Sequence, residues 1–251
     1  MSILNCFIEK IFNKNKEISI EDLENSYLKI EDKTKVFGFQ DKFKNQQNLL
    51  YNLFGETDMT TFNKVRLIVI ADTHNSLDEN ELVNTLSLHP DYDLCLLLGD
   101  HSNQDVEKVL KHINKDKIYA LRGNHDNDYI KYYSLNNLNG NFVEINGVKI
   151  LGIEGSFKYK PIDFPSFTQE ESIMFLKDRV RADILVSHDS PFDDTKMNDP
   201  AHQGLFGITY YLFKNKVKYN IHGHIHENYK KKLINGTTEI SMFNIDYIEL
   251  S

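Results

Sequence analysis

Cysteine is scarce in this 251-residue chain, with Cys6 and Cys95 the two present. Two cysteines cannot staple a small secreted scaffold or build a thiolate-rich zinc site, and a reducing cytoplasm is the simplest compartment for such a chain. Long apolar runs are lacking as well, since none approaches the roughly 18 residues of a transmembrane segment. The opening stretch from Ser2 to Phe12 carries Glu9 and Lys10 among its apolar residues, which makes a poor secretory signal. Clustered positive charge is missing too. The chain has 29 Lys and Arg against 37 Asp and Glu, a net charge of -8 and a pI near 5.7. That balance argues against a dedicated nucleic-acid binder and against a stable nucleic-acid complex. It leaves a nucleotide substrate open, because bound metal ions reverse the local field. What is present is ample apolar material: 40% hydrophobic residues, with 16 Phe and 13 Tyr. This is enough for a sizeable core and excludes wholesale disorder.

The first 64 residues differ in character from the rest. Ile3, Leu4, Phe7, Ile8, Ile11 and Phe12 recur at helical spacing and predict an amphipathic helix over 2–13. Leu23, Tyr27 and Ile30 mark a second helix, and Phe43, Leu49, Leu50, Leu53 and Phe54 a third. Helices docked on a main domain are the expectation. A membrane-surface role lacks the Lys/Arg-rich polar face that such helices carry. The chain is therefore divided into an N-terminal helical extension, 1–64, and a main domain, 65–251. In the main domain, apolar runs at Val65–Ala71, Leu94–Leu98 and Lys117–Leu121 alternate with helical patterns at Asn80–Leu88 and Asp105–Ile113. This predicts an α/β fold with parallel strands and right-handed crossovers. Further helices are expected at Glu170–Val180 and Leu205–Phe213. Asn146-Gly147 and Asn235-Gly236, each between β-rich runs, predict two hairpins and hence mixed sheets.

Each buried strand runs into the same kind of residue. Asp72-Thr73-His74 follows the first, Gly99-Asp100 the second and Gly123-Asn124-His125-Asp126 the third. Ser187-His188-Asp189 follows Ile184–Val186, and His222-Gly223-His224-Ile225-His226 follows Tyr219–Ile221. Ligands in α/β sheets bind beyond the carboxyl ends of strands, so these clusters are expected to converge. Carboxylate, amide oxygen and imidazole are hard to borderline metal ligands. Asp72 and His74, like His224 and His226, alternate and so share a side. Two aspartates, one asparagine and four histidines are too many for one tetrahedral ion and suit two ions sharing a carboxylate. Taken singly each motif has a bland reading, as an N-cap or a turn. Together and in this order they do not.

This set resembles the signature of the calcineurin-like metallophosphoesterases over residues 65 to about 250. The resemblance implies a four-layer α/β/β/α sandwich of two mixed sheets with the site where the sheets meet. It also implies that Asp72, His74, Asp100 and His226 hold a first ion. Asp100, Asn124, His188 and His224 would hold a second, with Asp100 as the bridge. His125 matches the family's histidine that is not a ligand and that stabilises the transition state or protonates the leaving oxygen. Many members have an acidic residue or histidine three positions after the Gly-Asp aspartate to assist it. Here that position is Asn103, so His101 and Asp126 are the alternatives.

The expected reaction is hydrolysis of a phosphoester by in-line attack of a metal-bridging hydroxide, with His125 donating the proton. Two divalent ions are the expected cofactors, manganese first, then iron, zinc or nickel. A small phosphodiester or cyclic nucleotide is favoured as substrate over a monoester. A phosphoprotein phosphatase, a nuclease and a catalytically silent binding module are the competing readings. Against the first of these, Gly99-Asp100-His101-Ser102-Asn103 lacks that subfamily's second Asp and Arg. Ser187-His188-Asp189 cannot act as a serine triad, because contiguous residues do not align as nucleophile, base and orienter. Among other residues, Arg122 is expected in an ion pair or on a substrate phosphate. His222 is expected to support a ligand, and His202 to support a ligand or face substrate. His89 and His112 read as surface residues, Phe157–Lys160 as a lid or a solvated loop, and Lys230–Lys232 as edge protection.

Overall fold

Residues 46–57, 62–196 and 199–251 are described in a computed structural model of the chain. The helices expected over 2–13 and around Leu23–Ile30 lie outside the described residues, as does Cys6. The third expected helix is present as Gln46–Phe54 (α1). Its Leu50 is fully buried, and its Phe54 ring meets Tyr210 edge-on at 6.0 Å. No helix among the described residues is long and apolar enough to cross a membrane.

Val65–Ala71 (β1) begins the first sheet. Glu79–Leu88 (α2) leads to Leu94–Leu97 (β2), Asn103–His112 (α3) to Ile118–Ala120 (β3), and Tyr129–Tyr133 (α4) to Asn136–Asn137 (β4). These four strands are parallel neighbours in chain order. Their connections are the strand–helix–strand units that the alternating pattern predicts. β1 reads as a continuous apolar run because both of its faces are covered. Val65, Leu67, Val69 and Ala71 join the core between the sheets. Ile68 and Ile70 face Leu82 of α2, Val106 and Val109 of α3, and Ile130 of α4. All three helices carry side-chain caps: Asp78 accepts from Asn80 N, Ser102 from Asp105 N and Asp128 from Lys131 N.

The second sheet opens with the hairpin Phe142–Ile145 (β5) and Val148–Ile153 (β6), turned by Asn146 and Gly147 at φ of 55° and 77°. Left-handed backbone at both central residues is what a tight hairpin needs, and Asn-Gly supplies it at low cost. A short parallel ribbon follows, Ser156–Phe157 (β7) with Ser166–Phe167 (β8). Then come Gln169–Leu176 (α5), Ile184–Ser187 (β9), Phe206–Lys214 (α6) and Tyr219–His222 (β10). Tyr229–Lys232 (β11), Thr238–Ser241 (β12) and Asn244–Leu250 (β13) complete the chain. The sheet order is β11-β12-β10-β9-β6-β5, while β13 returns antiparallel to β1 and makes the first sheet mixed. The expected four-layer sandwich is present. Ile150, Ile184, Val186, Ile221 and Ile240 meet β1 and β2 across the middle.

One hairpin and one helix end differ from the sequence reading. The second Asn-Gly hairpin is shorter than Tyr229–Ile234 with Thr237–Met242. The ladder ends at Lys232 opposite Thr238, and the turn beyond it is held by Leu233 N donating to Thr237 O and by the buried Asn235 side chain, which bonds Thr57 Oγ1 and Thr237 N. Helix α5 stops at Leu176, not Val180, where Arg179 N turns back to Leu176 O. Lys230–Lys232 do lie on the sheet's outermost strand, β11.

Candidate metal centre

Main-chain bonds stitch the loop after β1 to the loop after β2, and the loop after β9 to the loop after β10. Asp72 N donates to Gly99 O at 3.0 Å, His74 N to Asp100 O at 3.0 Å, and Gly223 N to His188 O at 3.1 Å. Such close approach excludes side chains at key points. A Cβ on Gly123 would collide with Asp100 Oδ1, and Gly99, at φ +102°, would drive one into the Gly123 backbone. Asp72, His74, Asp100, His224 and His226 all hold positive φ, between 42° and 69°. Strained backbone of this kind costs energy and persists where surrounding contacts over-determine it, commonly at functional sites.

The loops bring the sequence-predicted residues into two groups. In Asp72, His74 and His226, one donor atom from each lies within 4.8 Å of the others, and the same holds for Asp100, His188 and His224. Asp100 Oδ2 sits between the groups, 3.7 Å from His74 Nε2 and 3.7 Å from His188 Nε2. Asn124 Oδ1 joins the second group, 2.9 Å from His188 Nε2. In the first group His74 Nε2 and His226 Nε2 are 3.2 Å apart, and His226 Nε2 is 3.8 Å from Asp72 Oδ1.

These atoms are turned inward by their other bonds. His188 Nδ1 donates to Leu98 O at 2.8 Å, which leaves Nε2 toward the site. His224 Nε2 donates to Ala201 O at 2.6 Å, which leaves Nδ1 free. Asn124 Nδ2 donates to Tyr159 Oη at 3.3 Å and so directs Oδ1 inward. Asp72 Oδ2 accepts from His224 N at 2.7 Å, while its buried Oδ1 has no hydrogen-bond partner. Asp100 Oδ1 accepts from His125 N at 2.9 Å.

Burial holds the His188 imidazole neutral, pushing its pKa down to about 3. Its Nε2 lone pair therefore faces the Asn124 carbonyl oxygen with no proton to share. Two acceptors so close, beside an orphaned buried carboxylate oxygen, call for a cation. The carboxylates say the same. Burial, and then the charge of Asp100, push Asp72 up to about 8. At Asp100 burial also acts upward, and it is opposed by the bond that Oδ1 accepts from His125 N. Oxygen and imidazole donors with buried negative charge fit two divalent ions. Burial, then His74, lowers His226 and keeps it available as a neutral donor.

Other acids brace the loops. Asp105 is buried and accepts from Thr73 Oγ1 at 2.9 Å, Ser102 Oγ at 3.0 Å and Leu77 N at 3.1 Å, so one carboxylate ties the Asp72-x-His74 loop to the Gly-Asp loop. Asp105→Ala is expected to lower unfolding free energy by about 2–4 kcal/mol in a denaturant titration, since it strands several buried donors. It is also expected to weaken metal binding by roughly 10- to 100-fold in calorimetry. Wild-type metal affinity in the variant would contradict this bracing role. Asp126 accepts from the backbone N of Asp100, His101 and Gly123. Asp189 accepts from Phe157 N, and Glu239 from His222 Nε2 at 3.2 Å. The sequence reading missed Asp105, Asp189 and Glu239. Only Asp105 had a local signal, the Ser102-x-x-Asp105 pattern at a helix start.

His125 is exposed beside the site, its ring 5.6 Å from that of His74. Asn103 is exposed in the first turn of α3. Neither alternative orients His125 from its side chain: Asp126 is occupied as above, and His101 Nδ1 lies 2.9 Å from Thr73 Oγ1. Arg122 makes the ion pair, to both oxygens of Glu154 at 3.0 and 2.6 Å. His222 Nδ1 lies 2.8 Å from Gly223 O, beside the turn that carries His224. His202 pairs with Asp199 at 2.6 Å, its ring 5.1 Å from that of His224. His112 is exposed on Glu79, and His89 stacks on Tyr247.

The model of the calcineurin-like phosphoesterase family matches residues 65–228. Comparison with curated proteins gives no match. A candidate 5′-nucleotidase from Staphylococcus aureus, in complex with α-ketoglutarate, superposes with a TM-score of 0.51 at 15% identity. That match covers 75% of this chain and 51% of the other, so this chain spans about half of that protein. A phosphopantetheinyl hydrolase from Mycobacterium tuberculosis has a TM-score of 0.48 at 13% identity, over 72% and 90% of the two chains. A dimetal phosphatase from Danio rerio has a TM-score of 0.49 at 10% identity, over 72% and 87%. At such identities the first of these shows a shared fold.

Proposed function

This chain belongs to the calcineurin-like phosphoesterase family, and we propose that it hydrolyses a phosphoester with two divalent cations held at the strand-end loops. The observation that carries this reading is the position of Asp100 Oδ2, 3.7 Å from a histidine nitrogen of each ligand group. On this reading Asp72, His74 and His226 hold one ion, Asn124, His188 and His224 the other, and Asp100 both. When bound, such a pair lowers the pKa of water and stabilises charge on the phosphoryl oxygens.

The chain's own residues then have distinct tasks. Leu98 O and Ala201 O fix the tautomers of His188 and His224. Asp126 and Asp105 hold the ligand loops in their strained conformation. His125, exposed beside the site, protonates the leaving alkoxide, a task suited to an imidazole whose ordinary pKa is about 6.5. Catalysis is assigned to residues 65–251, with 1–64 as an appended helical extension. Manganese is the first choice of ion, and a small phosphodiester is favoured over a monoester. A panel of aryl phosphodiesters and monoesters with manganese, iron, zinc and nickel tests the reading. Turnover strictly dependent on added metal is the expected result. No turnover with any of the four would favour a silent binding module.

A further inference from the structure

The ribbon β7–β8 is joined to the ligand loops at three points. Gly155 N donates to Arg122 O at 2.8 Å, just before Gly123-Asn124-His125. Phe157 N donates to Asp189 Oδ2 at 2.9 Å, just after His188. Tyr159 Oη accepts from Asn124 Nδ2 at 3.3 Å. The intervening loop is therefore anchored beside the loop that carries His125. It presents a half-buried aromatic pair, Tyr159 and Phe164, with ring centroids 5.4 Å apart. The Lys160 ammonium lies over both rings, at 4.9 and 5.4 Å. Beyond them Ile162 is exposed at the tip.

We propose that Tyr159 and Phe164 form a leaving-group subsite that takes a flat ring, so that this chain prefers phosphoesters of alcohols bearing a nucleobase or aryl group. The inference rests on the phosphoesterase reading, since it places the phosphoryl group at the ligand loops. A substrate held there, with its leaving oxygen toward His125, lies next to Asn124, and Tyr159 touches Asn124 at 3.3 Å, which puts the aromatic pair beside the leaving group. Every base has a π face, so stacking on such a pair selects for a ring without selecting which one. Lys160 adds a cation that attracts the anionic substrate without replacing the rings. The Tyr159 hydroxyl has a second task as a positioning group: it holds the Asn124 amide so that Oδ1 faces inward.

A matched pair of probes separates the ring from the phosphate. Adenosine 5′-monophosphate and ribose 5-phosphate share the same ester and differ in the base. As competitive inhibitors of aryl-diester turnover, they are expected to differ by about ten-fold in favour of the nucleotide, the scale of one base stacked on an aromatic side chain. In Tyr159→Ala, Phe164→Ala and the apolar Phe164→Leu the ratio should fall toward one, whereas Tyr159→Phe, which keeps the ring, should retain it and lower kcat instead. Saturation-transfer NMR with adenosine on the metal-free protein reads the subsite without any turnover. Contact to wild type, lost in Phe164→Leu, is the expected result. A wild-type ratio near one, or a ratio unchanged in the ring variants, would overturn the subsite. Absence of turnover alongside adenosine contact would instead count against the phosphoesterase reading and leave the subsite standing.

Discussion

Asp100→Asn is expected to lose one or both cations and to lower kcat/KM by on the order of a thousand-fold or more. The substitution preserves shape, and the amide oxygen can still accept from His125 N. What it removes is negative charge midway between the two donor groups, where Oδ2 lies 3.7 Å from both His74 and His188. An amide is a weaker ligand than a carboxylate and cannot neutralise two cations at once. The loss should therefore appear first as reduced metal stoichiometry in a calorimetric titration, and then as reduced turnover at saturating metal. Asp100 also raises the carboxyl pKa of Asp72 by its charge. The variant should accordingly ionise Asp72 at lower pH, a change visible by carboxyl NMR and independent of activity. Full activity with two bound ions in Asp100→Asn would reject the bridging assignment.

His125→Ala should leave metal binding intact and lower kcat by about a hundred- to ten-thousand-fold for substrates with poor leaving groups, the range of general acid catalysis. Its imidazole stands outside both ligand groups, with its ring 5.6 Å from that of His74, and its backbone N bonds Asp100 Oδ1. The effect should shrink for p-nitrophenyl esters, whose leaving group needs no proton, and be full for alkyl esters. Equal losses for both classes, or loss of metal, would show that His125 acts in another way.

How far the sequence spoke depended on how local each signal was. The proposed ligands were legible because each follows a short apolar strand, and strand and loop are neighbours in the chain. Helix α2 was placed within one residue of its start, since apolar periodicity is dense there. The start of α3 was set two residues late, because the Ser102 cap and the Asp105 carboxylate act on backbone ahead of the first apolar position. The braces were hidden for a related reason. Thr73 and Asp105 are 32 residues apart, and Asn124 and Tyr159 are 35 apart. Nothing in the spacing of either pair announces a contact that only tertiary folding creates, the first between connections of one sheet and the second between a loop of that sheet and the β7–β8 ribbon. Tyr159 stood out as part of an aromatic, basic stretch, but its bond to Asn124 required the ribbon to be seen folded over the rim.

Crystals soaked in manganese and measured at its absorption edge test the central claim most directly. The account predicts two anomalous peaks roughly 3.5–4 Å apart, one among Asp72, His74 and His226, the other among Asn124, His188 and His224, with Asp100 touching both. A single peak, peaks away from these residues, or none at saturating manganese would contradict it.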